Sequence, residues 1–295
     1  MMQAVDAAVE VLRTGPLTTV QDGGRPGLAA LGVSASGAVD RDAYRLANAL
    51  VGNPGDAAVL EVTLGGLELR ARDRVTVAVT GAVGPLTVSG RGADTHRAVD
   101  VPAGAELALA PPEAGLRSYV ALRGGVATDP VLGSRSTDLM AGLGAPLREG
   151  DPLPVGPTPA GDVPAVDVAA VRAPTGGEIE LRLVLGPRDD WFTDAAIRAL
   201  AEEPFVVTGD SNRVGMRLDG PELERGRDDE LPSEGTVPGS LQVPTSGQPV
   251  LFLADHPVTG GYPVIGVVRG SDLPAAAQAR PGQRIRFRPE RRAAL

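Results

Sequence analysis

Residues 58–81 read AVLEVTLGGLELRARDRVTVAVTG, and this stretch decides the fold class. Short runs rich in Val and Leu are broken by Gly65-Gly66 and by Arg72-Asp73-Arg74. β-branched runs bounded by turn formers read as strands. Working outward, the pattern continues through PLTVSG (85–90), ELALA (106–110) and RSYVALRGGV (117–126). The regular spacing and frequent Gly and Pro turns predict an antiparallel sandwich or barrel rather than alternating βαβ units.

Upstream, VEVLRTGPLTTV (9–20) predicts a strand, a turn at Gly15-Pro16 and a second strand. The glycine-rich QDGGRPGLAALGVSASGAVD (21–40) reads as irregular. A helix is expected from Asp40 to Val51, with Val39, Ala43, Leu46, Ala47 and Leu50 on one face, Asp40 as N-cap and Gly52 as the stop. Downstream, LGSRSTDLMAGLGAPLREG (132–150) is a loop rich in hydroxyls. The segment 151–178 holds many prolines and little charge, and reads as a crossing between halves. IELRLVLG (179–186) opens a second β region, with short helices expected near 193–201 after Thr193 and near 275–279. The expected fold is mainly β with a few helices, built as two β-barrel-like subdomains. Their expected limits are 1–155 and 179–295, joined by a Pro-rich crossing at 156–178.

Composition removes several chemistries. In 295 residues there is no cysteine, so disulfides, thiolate nucleophiles and cysteine-bound metal are excluded. The sequence also contains no lysine, which removes a Walker-type lysine, a Schiff base and any covalent attachment of biotin to this chain. A net charge of −9 without a basic stripe argues against nucleic acid or an anionic membrane as partner. MMQAVDAAVEVLRTG does not read as a secretory signal, and no apolar run is long enough to span a bilayer. A cytoplasmic protein is expected.

No phosphate-cradling glycine loop or nucleophile elbow is present, and His96 and His256 are the only histidines. His96 reads as surface, and His256, in a loop before a proline, as solvent-exposed by default. Metal binding is not expected. Three polar clusters remain. QDGGRPG (21–27) offers Gln21, Asp22 and Arg25, where Arg25 either forks onto an anion or pairs with Asp22. GDSNRVGMRL (209–218) offers Asn212 and Arg213. SEGTVPGSLQVPTSGQPVLFLADHPVTGGYPVIG (233–266) concentrates Glu234, Gln242, Asp255, Thr259 and Tyr262 among turn formers.

These clusters carry a resemblance. TTVQDGGRPGLAALGVSASGAVDRDAYRLANALVGN (18–53), LEVTLGG, SYVALRGGV, LGSRSTDLMAG, SNRVGMRLDGPEL, SEGTVPGSLQVPTSGQPVLFLAD and TGGYPVIG follow in the order found in the KipA / 5-oxoprolinase C-subunit family. That family is also known as allophanate hydrolase subunit 2 and is biotin-dependent-carboxyltransferase-like. The resemblance implies a cyclophilin-like barrel architecture and a KipI-like partner, the B-type subunit of the same enzyme. It also implies a third, LamB/YcsF-like component of the A type, the set opening 5-oxoproline to glutamate at the expense of ATP. ATP, with magnesium, is implied to be bound mainly through the partner. The family run Asp-x-Gln-Thr-Thr before GGYP is here Asp255-His256-Pro257-Val258-Thr259, so two polar side chains are replaced.

On this reading Glu234, Asp255 and Arg213 are the catalytic candidates. Glu234 and Asp255 serve proton transfer or metal–phosphate positioning, and Arg213 binds an anion or carbonyl. Gln21, Asp22, Arg25, Asn212, Gln242, Thr259 and Tyr262 are the candidates for holding a small amide substrate. The rival readings are carboxyl transfer from a biotin carried elsewhere to urea or another amide, and a non-catalytic antagonist of a kinase-inhibitor protein.

Overall fold

A computed structural model describes residues 7–227 and 229–290. The opening MMQAVD and the outer ends of both expected subdomains lie outside these residues. By internal contacts the chain divides into two units. One comprises the chain up to Arg25 together with Ser36–Pro174, the other Pro26–Ala35 together with the chain from Thr175 onward.

The first unit contains β1 (Ala7–Thr14), β2 (Leu17–Gln21), α1 (Arg41–Leu50), β3 (Val59–Thr63), β4 (Leu67–Ala71) and β5 (Val75–Gly81). These are followed by β6 (Leu86–Val88), β7 (Arg91–Ala93), β8 (Ala98–Val101), β9 (Glu106–Leu109), β10 (Arg117–Leu122) and β11 (Pro152–Pro154). They form a six-stranded sheet ordered β11-β1-β4-β9-β6-β7 and a five-stranded sheet ordered β2-β3-β10-β5-β8. The pairings in both sheets are antiparallel, as the turn spacing predicts.

Alternation along the central strands decides what each sheet face meets. Leu60 and Val62 of β3, with Val120 and Leu122 of β10, join Val11, Leu69 and Leu107 of the six-stranded sheet in one core. Val59, Tyr119 and Ala121 point the other way and pack with Ala43, Tyr44, Ala47 and Leu50 of α1. All of β10 is therefore buried, because both of its faces are covered. With so few aromatics the core rests on Val and Leu, each contributing about 1.5–3 kcal/mol when fully buried. The N-cap expectation for α1 holds: Asp40 Oδ1 accepts from Ala43 N at 3.0 Å.

The Pro-rich segment expected as a crossing is tied to this first unit. Arg123 Nη2 donates to Pro159 O at 3.1 Å, and Ala169 N donates to His96 O at 2.8 Å. His96 itself is half-buried at a backbone φ of 58°, not plain surface.

The second unit contains β12 (Ile179–Leu185), α2 (Asp194–Glu202), β13 (Phe205–Val207), β14 (Gly215–Asp219), β15 (Glu234–Gly235) and β16 (Ser240–Gln242). β17 (Val250–Phe252), β18 (Thr259–Gly260), β19 (Val264–Val268), α3 (Leu273–Ala277) and β20 (Arg284–Glu290) complete it. Seven strands close into a barrel in the order β12-β19-β16-β17-β14-β13-β20. The seam is a parallel pairing of β12 with β20. Alternate residues Ile179, Leu181 and Leu183 of β12 and Ile285 and Phe287 of β20 are buried, the periodicity a closed barrel requires. Phe287 meets Phe205 edge-on at 5.8 Å. Thr193 caps α2, accepting from Ala196 N at 3.1 Å. β15 and β18 pair as a separate two-stranded ribbon. Among the described residues no helix is long and apolar enough to cross a membrane.

Candidate functional site

In the first unit the chain leaving β2 forms a buried polar cluster with the hydroxyl-rich loop 134–137. Asp22 is its hub. Its Oδ1 accepts from Ser134 Oγ and Ser136 Oγ, both at 2.6 Å, and from Gly24 N at 2.8 Å, while Oδ2 accepts from Arg135 N at 2.6 Å. Four donors on one carboxylate make Asp22 the organiser of the loop. Gly37, at φ 95°, lets the returning backbone approach, since a Cβ there would lie 2.9 Å from Gly24 N and 3.0 Å from Asp22 O.

Of the two expectations for Arg25, the structure decides the pairing with Asp22. It makes no ion pair with Asp22, because Asp22 is taken up by hydroxyls and amides. Arg25 is buried and turned to the peptide backbone, Nη2 donating to Ser136 O and Nε to Val131 O at 3.4 Å. Those two bonds use the Nε/Nη2 edge of the guanidinium and leave Nη1. Gln21, fully buried, donates from Nε2 to Thr137 O at 2.9 Å and to Thr19 Oγ1 at 3.0 Å.

In the second unit the loop before β14 meets the loop after β17. Arg213 and Asp255 are both buried and face each other as a fork, Nε to Oδ2 at 2.8 Å and Nη2 to Oδ1 at 2.9 Å. The backbones reinforce them: Asp255 N donates to Arg213 O at 3.0 Å, and Leu253 N to Val214 O at 3.0 Å. Asn212 is exposed and uses its Oδ1 in the turn, accepting from Val214 N at 2.8 Å.

Glu234 sits on β15 and is gripped by Arg188, through Nε at 3.0 Å and through Nη2. The Arg188 hydrogen bonds hold the Glu234 carboxyl below the usual carboxylate range, although partial burial opposes this. A carboxylate so paired is held as a hydrogen-bond acceptor. Gln242 is buried and donates to Tyr262 O at 3.0 Å. Thr259 and Tyr262 are exposed, and the Arg225 guanidinium lies 5.6 Å from the Tyr262 ring centre.

His256 departs from the expected exposed loop histidine. It is buried, stacked on Phe252 at 5.9 Å, with Nδ1 2.7 Å from Pro257 O and 3.0 Å from Thr236 Oγ1. A carbonyl only accepts, so Nδ1 carries the proton and Nε2 the lone pair. Burial pushes the imidazole pKa down, with the Pro257 carbonyl and Asp255 opposing. Arg188, Thr236 and the burial of His256 escaped the sequence reading, since the partners that define them come from other loops. For Thr236 and His256 the available signal was their place inside the 233–266 cluster; Arg188, 46 residues before Glu234, had none.

A shallow depression of about 340 Å³ elsewhere on the barrel is lined by Thr208, Asp210, Arg217, Asp219, Ser246 and Gln248, among others. None of the candidate residues lines it. Among the described residues no group of three or more His, Asp or Glu side chains is placed to hold a metal ion.

A sandwich-like first unit, a closed seven-stranded barrel and two buried polar clusters are the features to be matched. The carboxyltransferase domain, subdomain A and B, matches residues 31–289, and the chain belongs to this family. It is 39% identical to the 5-oxoprolinase C subunit of Escherichia coli over 283 residues, covering 95% of this chain and 90% of that protein. It is 32% identical to the 5-oxoprolinase C subunit of Haemophilus influenzae, again covering 90% of that protein. Among solved structures, TTHA0988 superposes with a TM-score of 0.88 at 36% identity, over 97% of this chain and 56% of that one. The K. lactis urea amidolyase gives 0.90 at 29% identity, over 98% of this chain and 19% of the larger one. The chain thus spans little more than half of one solved relative and about a fifth of the other.

Proposed function

We propose that the chain is a component of ATP-dependent 5-oxoprolinase, acting with a KipI-like partner and a LamB/YcsF-like third protein on 5-oxoproline. The observation that carries this reading is the 39% identity to a 5-oxoprolinase C subunit along nine-tenths of its length. The reading places the protein in the cytoplasm.

The work assigned to this chain is binding and orienting the amide. Fixed donors in a buried setting stabilise charge developing on a carbonyl oxygen better than mobile ones in water. Each unit offers such fixed groups of its own: Arg25 and Gln21 in the first, and the loops organised by Arg213–Asp255 and Arg188–Glu234 in the second. The family resemblance gives the metal–nucleotide chiefly to the partner. Reconstitution of the three proteins tests the reading. 5-Oxoproline-dependent ATP consumption is expected, and its absence from a well-formed complex would sink it.

The likeness to urea amidolyase favours a second reading, carboxyl transfer to urea or a related amide. Biotin would then ride on another protein or domain, because this chain has no lysine to carry it. An active complex that is indifferent to avidin counts against this alternative.

A further inference from the structure

We propose that the depression on the outer face of the barrel, between the turn after β13 and the loop before β17, binds a small basic α-amino acid. Its volume of about 340 Å³ stands at the low end of the range for small-molecule sites. Pro244, Pro249 and Val250 give it apolar walls, and Asp210, Arg217 and Asp219 are its ionised groups. Arg217 and Asp219 flank the buried Leu218 on β14, so both side chains point out of the barrel, and all three charged residues are exposed. Elsewhere in this unit arginines take carboxylate partners, as Arg182, Arg286 and Arg288 do. Arg217 instead shares one depression with two carboxylates and, among the described residues, pairs with neither.

The backbone around these groups is held in place. Thr208 N donates to Arg217 O at 2.9 Å, and the Ser211 hydroxyl accepts from Arg217 N at 3.0 Å and donates to Arg217 O at 3.3 Å. These bonds clamp the turn that carries Asp210 onto the strand that carries Arg217. At the end of β14, Gln248 accepts from Gly220 N at 3.0 Å and donates to Gly220 O at 3.1 Å, while Leu218 N donates to Pro249 O at 3.0 Å. The frame is satisfied internally, and its charged side chains are left for a ligand. Charge then selects that ligand. A purely anionic molecule meets two carboxylates, and a purely cationic one meets Arg217. A basic α-amino acid brings one carboxylate for the guanidinium fork and two cationic groups for Asp210 and Asp219, which leaves the site neutral. Glutamate, with two carboxylates and one ammonium, reverses that count. No candidate residue for the oxoprolinase reaction lines the depression, so this site stands or falls apart from that reading.

The test is calorimetric titration of the full chain at low ionic strength, where exposed charges are least screened. The probes are L-lysine, 1,5-diaminopentane (the same molecule without its carboxylate) and L-glutamate. Lysine is expected to saturate one site and to bind about tenfold or more tighter than either of the others, the scale of one hydrogen-bonded contact to a charged group. Arg217→Gln should bring lysine down to the level of diaminopentane and leave diaminopentane no weaker. Asp219→Asn should weaken both. The two side chains are exposed, so both variants are expected to fold, which their thermal unfolding checks. If either fails to fold, the ranking of the three probes on the unmodified protein decides. Absence of saturable lysine binding at tens of millimolar overturns the proposal. So does lysine binding no tighter than that of glutamate or diaminopentane, or lysine binding that survives Arg217→Gln undiminished.

Discussion

Tyr119 donates its hydroxyl to Glu61 Oε2 at 2.8 Å and accepts from the Asp40 amide at 2.7 Å. Tyr119 and Glu61 are register partners on β10 and β3, on the face covered by α1. Glu61 Oε2 also accepts from Val39 N at 3.0 Å, and Oε1 lies 3.7 Å from the buried Arg117 Nε. The pair therefore receives the backbone amides that lead into α1. Burial, with Glu61 and Asp40 nearby, pushes the phenol pKa far up, so the hydroxyl remains a donor. Tyr119→Phe removes both bonds and keeps the ring. A loss of about 1–3 kcal/mol is expected, read as a shift of the urea midpoint at constant slope. An unchanged midpoint would show that the hydroxyl contributes nothing.

Arg213 and Asp255 are both nearly solvent-free, so each holds the other's charge in place. Asp255→Asn or Arg213→Met alone should destabilise by about 3–5 kcal/mol, because one buried charge loses its counter-ion. The double variant Arg213→Met with Asp255→Leu should lose much less than the sum. Additive losses in that cycle would show that the pair is not coupled.

His256 sets a pH dependence whose sign follows from burial. Its folded pKa lies below the ordinary value near 6.5, so the unfolded chain binds the proton more readily. Stability should fall as pH drops below about 6.5 and level off once pH passes the folded value. His256→Gln should flatten that part of the curve. Thermal unfolding from pH 8 to 5 in both proteins decides it, and identical slopes would refute the assignment.

Gly260 permits the close approach of Gln242, since a Cβ at that position would lie 2.5 Å from Gln242 Nε2. Gly260→Ala should displace the amide from Tyr262 O and cost about 1 kcal/mol, modest because the clash is with the end of a side chain. In a Gln242→Ala background the same substitution should be nearly neutral. A penalty that persists there points to the ribbon backbone instead.

Elements governed by local rules were legible. The helix over 41–50 with its Asp40 cap, the Thr193 cap and the antiparallel strands of the first half follow from periodicity and turn chemistry alone. What escaped was set by distant pairing. β1 and β2 are joined by one turn at Gly15-Pro16 yet enter different sheets, a choice made by their partners β4 and β3. Asp22 looked like a partner for Arg25 three residues away, but hydroxyls more than a hundred residues on outcompete it. The polar clusters could be found in the sequence as concentrations of unusual residues. Which atoms stay unmatched is a property of the folded chain.

The parallel seam between β12 and β20 has a consequence in time. Its two strands are separated by nearly the whole length of the barrel unit, and the hydrogen bonds between them cannot form until β20 has been synthesised. Until then Leu181 and Leu183 belong to a strand with one edge unclaimed, and the barrel is a sheet with two ends. On the ribosome, the first unit has all its strands in hand while the second still waits for Ile285 and Phe287. Substitutions in β20 should therefore reduce the yield of native protein by lengthening that wait, beyond what their effect on the finished barrel would suggest.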